Sequence, residues 1–215
     1  MQIDRSKTIL VSHPRSGLNW IRYCIEYFSG SPTPGRTKIV EDGSPAVYRT
    51  HDVRKAKGPE TCDCRFYEEA RYPRVVREIL WRTPYRFTPI FSRMVLILRD
   101  YHDNAVRENW RLSRYIENIL AFERFEGDKL VLYYEDIKDD FSQIEHLLDF
   151  IGIPHDRDYD LAELRERSLT WYDTKGIGVS RKIPRLSDRR RSSIRSTMRR
   201  RLGPTMDRYL HRYAG

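Results

Sequence analysis

Ser12-His13-Pro14-Arg15-Ser16-Gly17-Leu18-Asn19-Trp20 follows a short apolar run, Thr8-Ile9-Leu10-Val11, and leads into a helical pattern with Trp20, Ile21, Cys24, Ile25 and Phe28 on one face. A strand that turns sharply into a helix offers an anion free backbone N–H groups and the positive end of the helix dipole. Arg15 adds a permanent positive charge, and Ser16 and Asn19 add side-chain donors at the same point. Gly17 lacks the Cβ that would block close approach of the backbone. The stretch reads as a phosphate or sulfate cradle. It is not a Walker A loop, because the G-x-x-x-x-G-K-[ST] spacing is absent.

Working outward, 46–50 reads as a short strand ending at His51, and 93–98 as a buried strand, since Met94-Val95-Leu96-Ile97-Leu98 shows no polar alternation. A helix is expected from Asp103 or Asn104, another over 115–125, and a further strand over 130–133. Phe141, Ile144, Leu147, Leu148 and Ile151 share one side of a helix over 141–151, with a Ser142…Glu145 capping box and a stop at Gly152 and Pro154. Such alternation implies an α/β fold in one domain, 1–215, with a central parallel sheet flanked by helices and ligand loops at the strand C-termini. The cradle, His51 and 99–103 all fall at that edge. Residues 53–89 depart from regular structure, with five prolines or glycines and aromatics alternating with arginines. This segment reads as a lid or insertion on the acceptor side, with a short helix over 72–81.

The C-terminal part differs in character. Ser187 caps a helix running to Leu202, with Ile194, Met198 and Leu202 as a narrow apolar stripe and Arg191, Arg195 and Arg199 beside it. It reads as a solvated helix packed by one edge, or as a basic surface for an acidic partner. A last helix follows Gly203-Pro204 and docks through Met206, Leu210 and Tyr213.

With 215 residues, 33% charged and 39% apolar, the chain is long enough for one proper core under a very polar surface. Forty Lys and Arg against 31 Asp and Glu give a net charge of +9, which favours anionic ligands. Cys24, Cys62 and Cys64 make no even disulfide framework and a poor zinc site, and Cys24 belongs to the core. The start Met-Gln-Ile-Asp-Arg does not read as a signal peptide, and no apolar run approaches membrane-spanning length. The default expectation is a cytoplasmic protein.

Four ordered blocks resemble the sulfotransferases that use 3′-phosphoadenosine-5′-phosphosulfate (PAPS), a family with a P-loop NTPase-like α/β fold. His13-Pro14-Arg15-Ser16-Gly17-Leu18-Asn19-Trp20 is similar to the family's 5′-phosphosulfate loop, Tyr-Pro-Lys-Ser-Gly-Thr-Thr-Trp. Arg15 stands for the lysine. Leu18 loses a hydroxyl and keeps only its N–H, whereas Asn19 keeps a donor. Trp20 corresponds to the aromatic beside the adenine, or anchors the helix in the core. Arg49-Thr50-His51 is similar to the Lys-Thr-His that supplies the catalytic base, with Asp52 and His102 in reserve. Val95-Leu96-Ile97-Leu98-Arg99-Asp100-Tyr101-His102-Asp103 is similar to the 3′-phosphate block, in which Arg99 grips the phosphate. Arg107 falls where the family has a serine, and is either a phosphate ligand or a surface residue. Val131-Leu132-Tyr133-Tyr134-Glu135-Asp136, followed by Phe150-Ile151-Gly152, is similar to the family's Tyr-Glu-Asp strand end and helix terminus, placing Tyr134 near the adenine.

Farther on the likeness is looser. Ser168, with Trp171 as an alternative, stands for the family's adenine contacts. Lys175-Gly176 or Arg181-Lys182 stands for its Arg-Lys-Gly contact to the 3′-phosphate. The resemblance implies a transferase that moves the sulfuryl group from PAPS to a hydroxyl or amine of a small-molecule or glycan acceptor. It implies no metal, and release of 3′-phosphoadenosine-5′-phosphate (PAP). Glu135 and Asp136 by themselves would also read as a carboxylate pair. Three other readings compete: a P-loop kinase or NTPase, a basic nucleic-acid-binding protein, and a nucleotide-binding fold without catalysis.

Overall fold

The computed structural model describes residues 8–33, 39–53, 91–107, 112–155, 158–174 and 186–213, with the backbone alone at 106–107 and 172–174. Within them the chain forms β1 (Thr8–Ser12), α1 (Leu18–Ser29), β2 (Tyr48–Thr50), β3 (Arg93–Leu98), α2 (Tyr101–Arg107) and α3 (Leu112–Arg124). After these come β4 (Asp128–Tyr133), α4 (Tyr134–Asp139), α5 (Ser142–Ile151), α6 (Leu161–Thr174), α7 (Asp188–Leu202), α8 (Pro204–Leu210) and a 3-10 turn, His211–Tyr213. The four strands make one parallel sheet in the order β2-β1-β3-β4. This is the expected α/β architecture.

The sheet is covered on both faces, which explains its uninterrupted apolar runs. Ile9, Val11, Met94, Leu96 and Leu98 face α2, α3, α7 and α8, packing on Ile116, Ile119, Met198 and Leu210. Their alternates Leu10, Val95, Ile97 and Leu132 face α1, α4, α5 and α6, packing on Ile21, Ile25, Ile144 and Leu147. Cys24 is buried in this second layer, as expected.

Pairing of Val11 with Thr50, Ser12 with Ile97 and Leu98 with Tyr133 aligns the strand ends. The loop after β1, His51 after β2, Arg99 after β3 and Tyr134 after β4 therefore leave the sheet along one edge. Strand order reverses around β1, and such a switch point is where open α/β sheets bind ligands.

Some local expectations change. α5 starts as expected, but the Ser142…Glu145 capping box is not formed. Ser142 instead donates its N–H and hydroxyl to the Asp140 carboxylate, at 2.9 and 2.6 Å, and Glu145 accepts from the Tyr159 hydroxyl. Ser187 precedes α7 but makes no side-chain cap. The Ile194, Met198 and Leu202 stripe is buried, as is the Met206, Leu210 and Tyr213 set. The expected 72–81 helix and nearly all of the 53–89 insertion lie outside the described residues.

Candidate functional site

The loop after β1 owes its shape to two left-handed residues, Arg15 with φ 70° and Gly17 with φ 77°. A side-chain-bearing residue in that region costs about 1–2 kcal/mol, so Arg15 must be held there. Arg99 holds it, donating from Nη1 to the Arg15 carbonyl at 2.9 Å while Nη2 donates to Asp103 at 3.1 Å. The Arg99 guanidinium also lies 4.1 Å from the centre of the Tyr134 ring. That ring rests on Gly17 so closely that a Cβ there would stand 2.4 Å from Tyr134 Cδ2. Arg99, Tyr134 and Gly17 thus form one contact chain across three strand ends.

Ser16 and Asn104 are both 0% exposed, and Asn104 Nδ2 donates to Ser16 Oγ at 3.5 Å. The Ser16 hydroxyl therefore braces the loop from inside. Leu18 is buried in the core. Exposed Arg15 and half-buried Asn19 are the polar loop side chains that reach solvent. α1 then begins at Leu18, and its first internal bond is Ile21 N–H to Gly17 carbonyl at 3.4 Å. The N–H groups of Leu18, Asn19 and Trp20 precede that bond and belong to the turn that receives anions. Buried Arg99 Nε has no hydrogen-bond partner among the described residues. A phosphate or sulfate group fits these residues.

His51 sits beside this loop. Its Nδ1 lies 3.0 Å from the Ser12 carbonyl and 3.1 Å from Ser12 Oγ. A carbonyl only accepts, so Nδ1 carries the hydrogen and Nε2 carries the basic lone pair. Burial, with Arg49 adding repulsion, lowers its pKa to about 3. The imidazole is neutral at physiological pH. Thr50 Oγ1 accepts from the Asp52 N–H at 3.1 Å, and Asn118 of α3 bonds both sides of the turn, to the His51 carbonyl at 3.2 Å and the Val53 N–H at 3.0 Å. Asp52, the reserve base, is buried and paired with Arg114 at 3.2 Å. The Asn118 clamp escapes sequence reading, because a lone Asn in an amphipathic helix looks like a surface residue.

The remaining expected residues are dispersed. Trp20 is half-buried, its ring stacked 6.2 Å from Tyr23, which in turn meets Trp171 at 6.1 Å. Ser168 is buried on α6, a helix whose weak amphipathy hid it in the sequence. Arg107 lies in α2, described by backbone only, and Lys175, Arg181 and Lys182 lie outside the described residues. Glu135 and Asp136 do not act as a carboxylate pair. Glu135 accepts from the Asp100 N–H and the Tyr213 hydroxyl, whereas Asp136 takes both Arg212 nitrogens at 2.6 Å.

Three histidines, His13 and His102 buried and His51 half-buried, give this edge a pH signature. Burial lowers His13 to about 4, His51 to about 3 and His102 to about 4, each from 6.5. The unfolded chain protonates them near pH 6.5 and the folded chain does not. Their contribution is complete above that pH and is lost as pH falls toward 4. Thermal melts should therefore lose stability steeply between pH 6.5 and 4.5, with uptake of about three protons on unfolding. A flat midpoint across that range would contradict these burials.

No family model matches the chain, and no curated protein matches it in sequence. Among solved structures it is similar to mouse sulfotransferase SULT7A1 complexed with PAP, at 16% identity over 97% of this chain and 86% of that one, with a TM-score of 0.43. No described helix is long and apolar enough to cross a membrane.

Proposed function

We propose that the protein is a PAPS-dependent sulfotransferase acting on a hydroxyl or amine acceptor, with the 12–19 loop as its phosphosulfate cradle. The observation that carries this reading is the joining of that loop to Arg99, Tyr134 and His51 along one sheet edge. The four sequence blocks that resemble the family supply those same residues. The co-substrate brings the sulfuryl group, and its nucleotide part leaves as PAP.

Sulfuryl transfer, like phosphoryl transfer, proceeds by in-line displacement through a loose transition state, so positioning and charge stabilisation dominate. Main-chain N–H groups from Arg15 to Asn19, with the Arg15 guanidinium, stabilise charge developing on the sulfuryl and bridging oxygens. Arg15 acts by charge, because a guanidinium keeps its proton. Arg99 keeps the loop in its receptive form and is the family-derived contact to the 3′-phosphate. Tyr134 presents a ring near the adenine. Asn19 and Trp20 line the approach, and Ser168, Arg107, Lys175, Arg181 and Lys182 remain family-derived nucleotide contacts.

His51 Nε2 takes the acceptor's proton as the new O–S or N–S bond forms. Its weak basicity places that transfer late, when the acceptor atom has become acidic through bonding to sulfur. The acceptor is a small molecule or glycan, and the arginines of 53–89 favour an acidic one.

The test is PAP release from PAPS across alcohols, phenols, glycans and amines. Arg15→Ala is expected to weaken both PAP binding and turnover, each by about tenfold or more, the size of one lost charge-assisted contact. His51→Ala should lose turnover by about 10²–10⁴-fold while keeping PAP affinity. Wild-type turnover should show no acidic limb near pH 6.5, since His51 stays neutral well below that value. Full activity of His51→Ala would remove His51 from the role. Magnesium-dependent nucleotide hydrolysis would favour the kinase or NTPase reading, and salt-sensitive oligonucleotide binding that PAP does not displace would favour the nucleic-acid one.

A further inference from the structure

His102 is only 5% exposed, yet among the described residues neither of its ring nitrogens has a hydrogen-bond partner. A buried polar atom left in that state keeps its desolvation cost with nothing to offset it. Its ring lies against Tyr101, with centroids 4.3 Å apart, and Arg195 of α7 hydrogen-bonds the Tyr101 side chain. Arg191, one turn earlier on α7, is exposed and stands close enough to act on both His102 and Asp100. α7 also opens with Arg189-Arg190-Arg191, in the turn where the helix dipole disfavours cations. Both features work against folding stability, and a single ligand chemistry would satisfy both.

We propose that His102, Arg191 and Arg195 form a binding site for a doubly charged tetrahedral oxyanion, of the phosphate or sulfate class, between α2 and α7. The site is separate from the cradle. Arg99 and Asp103 pair with each other on the side of α2 that meets Arg15, and His102 lies about 100° around the helix from Asp103. An oxyanion there accepts from the arginines and from His102. Protonation then turns the second ring nitrogen into a donor as well, so the anion and the proton bind together. The groups that face the imidazole fit this coupling. Asp103 favours its protonation, Arg191 and Arg195 oppose it until an anion offsets them, and burial holds it at about 4 otherwise. Asp100 is occupied as acceptor of the His102 main-chain N–H at 2.8 Å. This inference does not depend on the sulfotransferase reading.

The test is a ¹⁵N NMR titration of the imidazole of the full chain with sodium sulfate, against sodium chloride at equal ionic strength, with and without saturating PAP. His102→Phe assigns the resonance. Sulfate is expected to raise the His102 midpoint by about one pH unit or more, as an opposite charge at contact distance does. Arg191→Gln should abolish that rise while leaving PAP affinity within about twofold, since the two sites share no residue. A midpoint that sulfate does not move, or moves equally in Arg191→Gln, would overturn the proposal. So would a response that PAP abolishes, because the oxyanion would then belong to the nucleotide cradle.

Discussion

Gly17→Ala should cost about 2–4 kcal/mol of stability and abolish PAP binding, from two independent causes that fall on one atom. The first is backbone strain: at φ 77° an added Cβ meets the main chain in the left-handed region. The second is packing, because that Cβ would stand 2.4 and 2.8 Å from two Tyr134 ring carbons. The ring cannot move away without disturbing the Arg99 guanidinium stacked 4.1 Å from its centre. Arg99 in turn holds the Arg15 carbonyl, so the clash reaches the cradle itself. Urea denaturation and PAP titration read the two effects. Adding Tyr134→Ala should restore part of the stability by removing the collision, but not the part due to φ. A single variant that folds and binds PAP like wild type would show that the loop does not have this shape.

Glu26→Ala should lose about 3–5 kcal/mol, the range for breaking a buried ion pair by removing one partner. Glu26 and Arg22 are each 2% exposed, one turn apart on α1. The Glu26 carboxylate accepts from the N–H groups of Thr33, Ile39 and Val40 at 3.1, 2.6 and 3.3 Å, and also from the Thr33 hydroxyl and Arg22. Arg22 adds bonds from Nε to Thr33 Oγ1 at 2.7 Å and from Nη2 to the Thr33 carbonyl at 3.3 Å. Without the carboxylate, Arg22 loses the charge partner one turn away while buried, and three main-chain donors lose their acceptor. The segment so anchored leads from α1 toward β2, so the loss reaches the strand that ends at His51. Equilibrium denaturation decides it: a cost below about 1 kcal/mol would mean that the network is only a surface ornament.

The sequence carried the sheet because its strands are buried on both faces and their apolar runs are unambiguous. β3 occurs at Arg93–Leu98 as read, and β4 begins two residues earlier than expected because Asp128 and Lys129 extend the ladder as exposed polar residues. The strand–turn–helix proposed as the cradle was legible for the same local reasons, a strand, a glycine and a helix start in succession. Long-range roles were not. Arg22 and Glu26 look like a solvated i,i+4 pair on α1, and it is their bonds to Thr33, Ile39 and Val40 that mark them as interior. Arg99 reads as a phosphate ligand, whereas the contacts it makes here are to the Arg15 carbonyl, Asp103 and the Tyr134 ring. Nothing in the local pattern of α2 or α3 reveals that Asn104 braces Ser16 or that Asn118 clamps His51. α6 was missed because Leu161, Leu164, Ser168 and Trp171 make too sparse a stripe to stand out.

The central claim is that the cradle takes a nucleotide phosphosulfate. Calorimetric titration of the full chain with PAP, with ATP and ADP as comparators and magnesium present or chelated, tests it most directly. Saturable PAP binding that survives chelation, exceeds that of ATP and ADP, and is lost in Gly17→Ala is the expected result. Magnesium-dependent binding of ATP with none of PAP would contradict it.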